Sequence, residues 1–123
     1  MKYLLLIYHE ERAWNRIDQA EKQEIYAGYR ALRDELTSRR VYLNGSQLQP
    51  TSEATSVRIR DGKELVTDGP FAETHEQLGG YFLIEAANQD EAIAVAKRIP
   101  SARMGTIEVR PLVETQASAG SAA

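Results

Sequence analysis

Tyr3-Leu4-Leu5-Leu6-Ile7-Tyr8 is apolar at every position. Successive side chains of a strand point to opposite faces of its sheet, so a strand that is apolar throughout needs cover on both sides. Tyr81-Phe82-Leu83-Ile84, introduced by Gly79-Gly80, has the same character. The two segments predict central strands of one sheet, and what covers their two faces decides the fold.

Outward from these strands the pattern changes period. Ile25, Tyr29, Leu32 and Leu36 recur at four, three and four residues, one stripe of an amphipathic helix between Asp18 and Arg40. Asp18 with Glu21 is a capping-box start. Val41-Tyr42-Leu43 opens a second strand, with Asn44-Gly45 as a turn or bulge before Gln47 to Pro50. Val57 and Ile59, the pair Asp61-Gly62, and Leu65-Val66-Thr67 form a hairpin signal. Asn88 with Glu91 caps a second helix whose buried stripe is Ala92, Ile93, Ala96 and Ile99, stopped by Pro100. Ile107, Val109 and Pro111 alternate with Glu108 and Arg110 as a last strand. The predicted domain is residues 1–114, followed by a small-residue tail at 115–123.

The resulting order is an α+β, ferredoxin-like βαββαβ sheet with two helices on one face and an inserted β-hairpin. Two helices cover one face only. Burying each large side chain on the other gains roughly 1.5–3 kcal/mol, which favours pairing two sheets face to face in a homodimer. The competing possibility is that the hairpin and the 50–56 loop fold back over that face.

Composition narrows the function classes. The 123 residues carry 15 Lys and Arg against 18 Asp and Glu, a net charge of -3 with no basic stripe, which argues against direct nucleic-acid binding. Without Cys there is no disulfide, thiolate metal site or thiol nucleophile. The first apolar run ends at His9-Glu10-Glu11-Arg12 with no small-residue cleavage site, and no stretch reaches the roughly 20 apolar residues of a membrane span. A cytoplasmic protein without membrane contact is expected. There is no phosphate loop, nucleophile elbow or Rossmann fingerprint, and two His without a third ligand at useful spacing predict no metal. No cofactor is expected.

The chemical candidates cluster around Thr67-Asp68-Gly69-Pro70-Phe71-Ala72-Glu73 and the end of the first strand. Asp-Gly-Pro is turn chemistry, in which Asp68 serves either as a backbone cap or as a proton-transfer group. His9 ends a strand that borders a cleft, with an ordinary pKa suited to proton transfer, or it is a solvated surface residue. Glu10, Glu11, Glu73 and Glu76 are either a solvated rim or a carboxylate cluster with raised pKa values. Arg103 is a candidate anion ligand, or the partner of Asp68. Tyr8, Trp14, Phe71 and Tyr81 line an apolar pocket or belong to the core.

Leu65-Val66-Thr67-Asp68-Gly69-Pro70-Phe71-Ala72-Glu73-Thr74 with Glu76-Gln77-Leu78-Gly79-Gly80 resembles the signature of the YCII-related (DGPF) family. Segments 1–8, 11–14, 57–62, 99–103 and 108–111 are similar to family segments in the same order. The resemblance implies a dimeric α+β barrel, with a small-molecule ligand and lyase-like or dehalogenating activity in some relatives, using a His and an Asp beside the sheet. Asp68 matches the family aspartate. Met104 stands where many members carry His, so that half of the pair is missing at this position. The resemblance also implies a second class of function, a non-catalytic regulatory module associated with sigma-factor-like proteins.

Overall fold

The computed structural model describes residues 1–114; the expected tail at 115–123 lies outside them. The chain runs β1 (Lys2–His9), α1 (Glu11–Arg16), α2 (Gln19–Ser38), β2 (Tyr42–Gln47), β3 (Thr55–Arg60), β4 (Lys63–Asp68), β5 (Gln77–Glu85), α3 (Gln89–Ala96) and β6 (Thr106–Pro111). Short 3-10 turns lie at Thr51–Glu53 and Pro100–Arg103. The main sheet has the order β2-β5-β1-β6 with antiparallel neighbours throughout, the ferredoxin-like arrangement the strand and helix order predicts. The two apolar segments, β1 and β5, are its central strands.

Strand alternation sends Tyr3, Leu5 and Ile7 of β1 and Phe82 and Ile84 of β5 to one face, where they are buried with Leu32 and Leu36 of α2 and with Ala92, Val95 and Ala96 of α3. Leu5, Leu36, Ile84 and Ile99 are fully buried, each contributing roughly 1.5–3 kcal/mol of transfer free energy. The helix starts follow the sequence signals: Asp18 Oδ1 accepts from the Glu21 N–H at 2.8 Å, and Asn88 Oδ1 accepts from the Glu91 N–H at 3.0 Å. Glu35 of α2 accepts a fork of bonds from Arg98, just beyond α3, at 2.6 and 2.7 Å. That fork, helped by Arg39, holds the Glu35 carboxyl at about 2. Being exposed, the pair fixes how the two helices meet more than it stabilises them.

Two local details are added and two expectations change. The 11–16 segment is a short helix, α1, which its six residues are too few to announce by periodicity. Of the two alternatives at Asn44-Gly45, turn or bulge, the structure has the bulge: the register shifts between Tyr42 and Asn44 and β2 continues to Gln47. The α3 helix ends at Ala96, and Pro100 opens the following 3-10 turn instead of terminating the helix directly. Val95 is buried where Ile93 was expected, with Ile93 only partly buried.

On the other face of the sheet Leu4, Leu6, Tyr8, Tyr81 and Leu83 are partly exposed, with Leu4 opposite Leu83 and Leu6 opposite Tyr81. The inserted hairpin forms a separate two-stranded ribbon, β3–β4. Its turn has positive φ at both Asp61 (53°) and Gly62 (75°), the combination a two-residue hairpin loop of matching twist demands. Val57, Ile59 and Val66 share one face of the ribbon and are 64%, 63% and 65% exposed, so the ribbon does not bury its apolar residues on the sheet.

Candidate functional site

The stripe of α2 is only half buried. Leu32 and Leu36 sit in the core, whereas Ile25 and Tyr29 line a cavity of about 270 Å³ between the first half of the helix and the sheet. The sheet side of this cavity combines bulky residues, Ile7, Tyr42 and Phe82, with glycines. Gly80 faces it from β5, and Gly45 of β2 lies beneath the Tyr42 hydroxyl, where a Cβ would stand 2.5 Å from that oxygen and 2.7 Å from the Tyr81 carbonyl.

His9 continues the inward face of β1 after Ile7 and lies on the cavity wall. Its place depends on β5. The register between β1 and β5 passes from Ile7↔Gly80 to Tyr8↔Leu78, leaving Gly79 without a partner in a bulge. The imidazole rests against that bulge: a Cβ on Gly79 would overlap the ring's Cε1 and lie 2.7 Å from Nδ1. Gly79 is therefore required for space, not for a left-handed backbone.

The α1 segment closes the other side. The Glu11 N–H donates to Gln77 Oε1 at 2.9 Å, and the Glu11 carboxylate accepts from Thr51 at its N–H (2.9 Å) and its hydroxyl (2.7 Å). These bonds tie α1 to β5 and to the turn after β2, and they bring Trp14 to 5.9 Å from the His9 ring. Trp14 meets Tyr26 edge-on at 5.7 Å, and Lys22 lies over the other part of the indole at 5.3 Å. Farther along, Phe82 packs edge-on against Tyr29 and Tyr42 at 6.0 and 5.1 Å, and Tyr29 bonds Ser101 Oγ at 2.7 Å. Beyond His9, Trp14 and Gly79 lies a second cavity of about 320 Å³, bordered by Glu11 and Thr51. His9 is thus part of a partition between two hollows.

Desolvation lowers the His9 pKa below the ordinary histidine value, and the Glu11 and Glu76 charges oppose that shift without reversing it. That shift favours the neutral ring, and among the described residues nothing hydrogen-bonds either nitrogen. A neutral imidazole with an available lone pair can accept a proton from a molecule in either hollow.

The sequence-predicted residues divide between this place and others. His9 and Trp14 line the cavity, and Glu11 is engaged as the clamp on Thr51. Tyr8 and Tyr81 lie on the opposite face of the sheet. Asp68 is exposed at the end of β4, Phe71 is 76% exposed, and Glu73 and Arg103 are exposed; none of the four lines either cavity. No bond joins Asp68 to Arg103, and the Asp68 carboxylate caps no backbone N–H among the described residues. What holds that turn is the Gly69 N–H donating to the Ala54 carbonyl at 2.7 Å and Ser56 Oγ donating to the Gly69 carbonyl at 2.8 Å. The cavity residues without a predicted ligand role include Tyr26, Arg30 and Arg33 of α2 and Tyr42, Gly79 and Phe82 of the sheet. The α2 set was visible as a second stripe at spacings of four and three, masked by the apolar stripe beside it. Among the described residues no group of three His, Asp or Glu side chains could hold a metal ion, and no helix is long and apolar enough to cross a membrane.

The YCII-related domain model covers residues 1–116. An uncharacterised protein of Rhizobium meliloti (strain 1021) is 37% identical over 123 residues, spanning 91% of this chain and 92% of that protein. The chain belongs to the YCII-related family.

Gly79→Ala tests the seating of His9. The added methyl forces the imidazole out of its slot, and overpacking of this kind costs about 1–3 kcal/mol. The expected result in urea denaturation is a loss of stability in that range, together with a changed Trp14 emission in the native state. A variant with wild-type stability and emission contradicts the packing described.

Proposed function

We propose that this protein binds a small organic molecule in the cavity beneath α2 and that His9 acts there as a general base in a lyase-like proton transfer. The observation that supports it is the desolvated imidazole wedged between Gly79 and Trp14 on the cavity wall, without a hydrogen-bond partner among the described residues. In such a step a ring nitrogen takes a proton from the carbon next to one bearing a leaving group. The C–H electron pair becomes the new double bond, the leaving group departs with its own bonding pair, and the imidazolium returns the proton to it. The Glu11 and Glu76 charges favour the imidazolium while it exists. Within one protomer Asp68 has no part in this step, because it lies outside the cavity.

The reading is tested by titrating a fragment library into isotopically labelled protein. The amides of Tyr26, Gly80 and Phe82 are expected to shift together, unaltered by Asp68→Asn. Shifts confined to the β3–β4 ribbon, or no binder at all, contradict it. A second reading, a non-catalytic interaction module, is favoured by one feature: the exposed apolar face of the ribbon with Phe71 beyond it. A protein partner whose footprint covers Val57, Ile59 and Val66, with the cavity amides unmoved, supports that reading over the first.

We also infer a homodimer formed through the uncovered sheet face, supported by the partly exposed row Leu4, Leu6, Tyr81 and Leu83. Sedimentation velocity is expected to give twice the protomer mass for the wild type and the single mass for Leu6→Glu. A wild type of protomer mass at all concentrations rules this inference out and leaves the cavity reading standing.

A further inference from the structure

The chain carries more acids than bases, 18 against 15, yet among the described residues no Asp or Glu lines the cavity, while Arg30 and Arg33 do. The two arginines are three residues apart and so neighbours on one face of α2. Neither has a hydrogen-bond or ion-pair partner among the described residues, although Arg39 and Arg98 are held by Glu35 and Arg110 by Glu108. Arg33 is partly buried, and its charge reaches the Tyr42 hydroxyl, opposing the rise in pKa that desolvation causes there.

The other end of the cavity is aromatic. Trp14 of α1 meets Tyr26 of α2 and lies 5.9 Å from the His9 ring. From Tyr26 to Arg33 the helix rises about 10 Å. Phe82 lies between the two ends, packed against both Tyr29 and Tyr42. The volume of about 270 Å³ is at the small end of the roughly 300–1,000 Å³ usual for ligand cavities. One ring with a short acid side chain suits that space better than a nucleotide does.

We propose that the ligand of this cavity is a small aromatic carboxylate, its ring between Trp14, Tyr26 and Phe82 and its carboxylate held by Arg30, Arg33 and the Tyr42 hydroxyl. The planar guanidinium fork matches a carboxylate, and charge-assisted bonds are about twice as strong as neutral ones. This orientation leaves His9 facing the ring end and the carbon that bears it. The inference rests on the cavity reading given above and adds the class of ligand to it.

Trp14 is the chain's one tryptophan, so its emission reports this cavity directly. The test is to titrate phenylacetate, 3-phenylpropionate and their two uncharged amides into the wild type and into the Arg30→Gln, Arg33→Gln double variant, following that emission. Both acids are expected to bind the wild type about tenfold or more tightly than the amides. In the double variant the acids fall to the level of the amides, and the amides bind as before, which shows that the cavity has kept its shape. Equal binding of acid and amide, or a preference that survives in the double variant, overturns the charge assignment while leaving a ligand cavity in place. No response to any of the four compounds overturns it too, and the fragment titration then decides the cavity reading on its own.

Discussion

The empty space above Gly79 is the constraint on which the site depends. Glycine there lets the imidazole of His9 lie against the β5 backbone, and the bulge that frees Gly79 from pairing sets that surface at the right height. With a side chain at 79, His9 would have to move away from the partition between the two hollows. The indole of Trp14 closes over the ring from the other side, held in place because Gln77 and Thr51 both bind Glu11. The same contacts that position the imidazole also remove water from it, which is why its pKa falls despite two carboxylates nearby.

A division of labour runs through the sheet. The inward face of β1 and β5 is core along Tyr3, Leu5 and Ile84 and forms cavity wall along Ile7, His9, Gly80 and Phe82. Bulky side chains fill the space beneath Leu32 and Leu36, whereas Gly45, Gly79 and Gly80 add no side chain to the wall of the cavity. The protein thus forms a stable core at one end of α2 and a hollow at the other without any change of architecture.

The strands and their order were legible because apolar runs, caps and the Asp61-Gly62 turn are local signals with direct physical causes. The site was legible only in part. His9 could be placed at a strand end and Trp14 among aromatic candidates. The DGPF stretch, the most distinctive segment of the chain, pointed to Asp68, Phe71 and Glu73, which the fold leaves on the exposed ribbon and its exit. Motif length reported family membership and not the location of the hollow. Gly79-Gly80 read as the approach to a strand, since the need for the first glycine comes from His9, seventy residues away in sequence. Arg30 and Arg33 lie beside the apolar stripe of α2, and it is the fold that turns them toward a cavity.

Packing desolvates His9 and favours its neutral form. Because its native pKa lies below the unfolded one, the unfolded chain takes up the proton first, so stability declines as pH falls below about 6.5 and levels off once the native ring is also charged. Nuclear magnetic resonance of the His9 ring protons, titrated in the folded protein and again in urea, tests this directly. A folded midpoint lower than the unfolded one is the predicted result; a folded midpoint equal to or above it contradicts the claim.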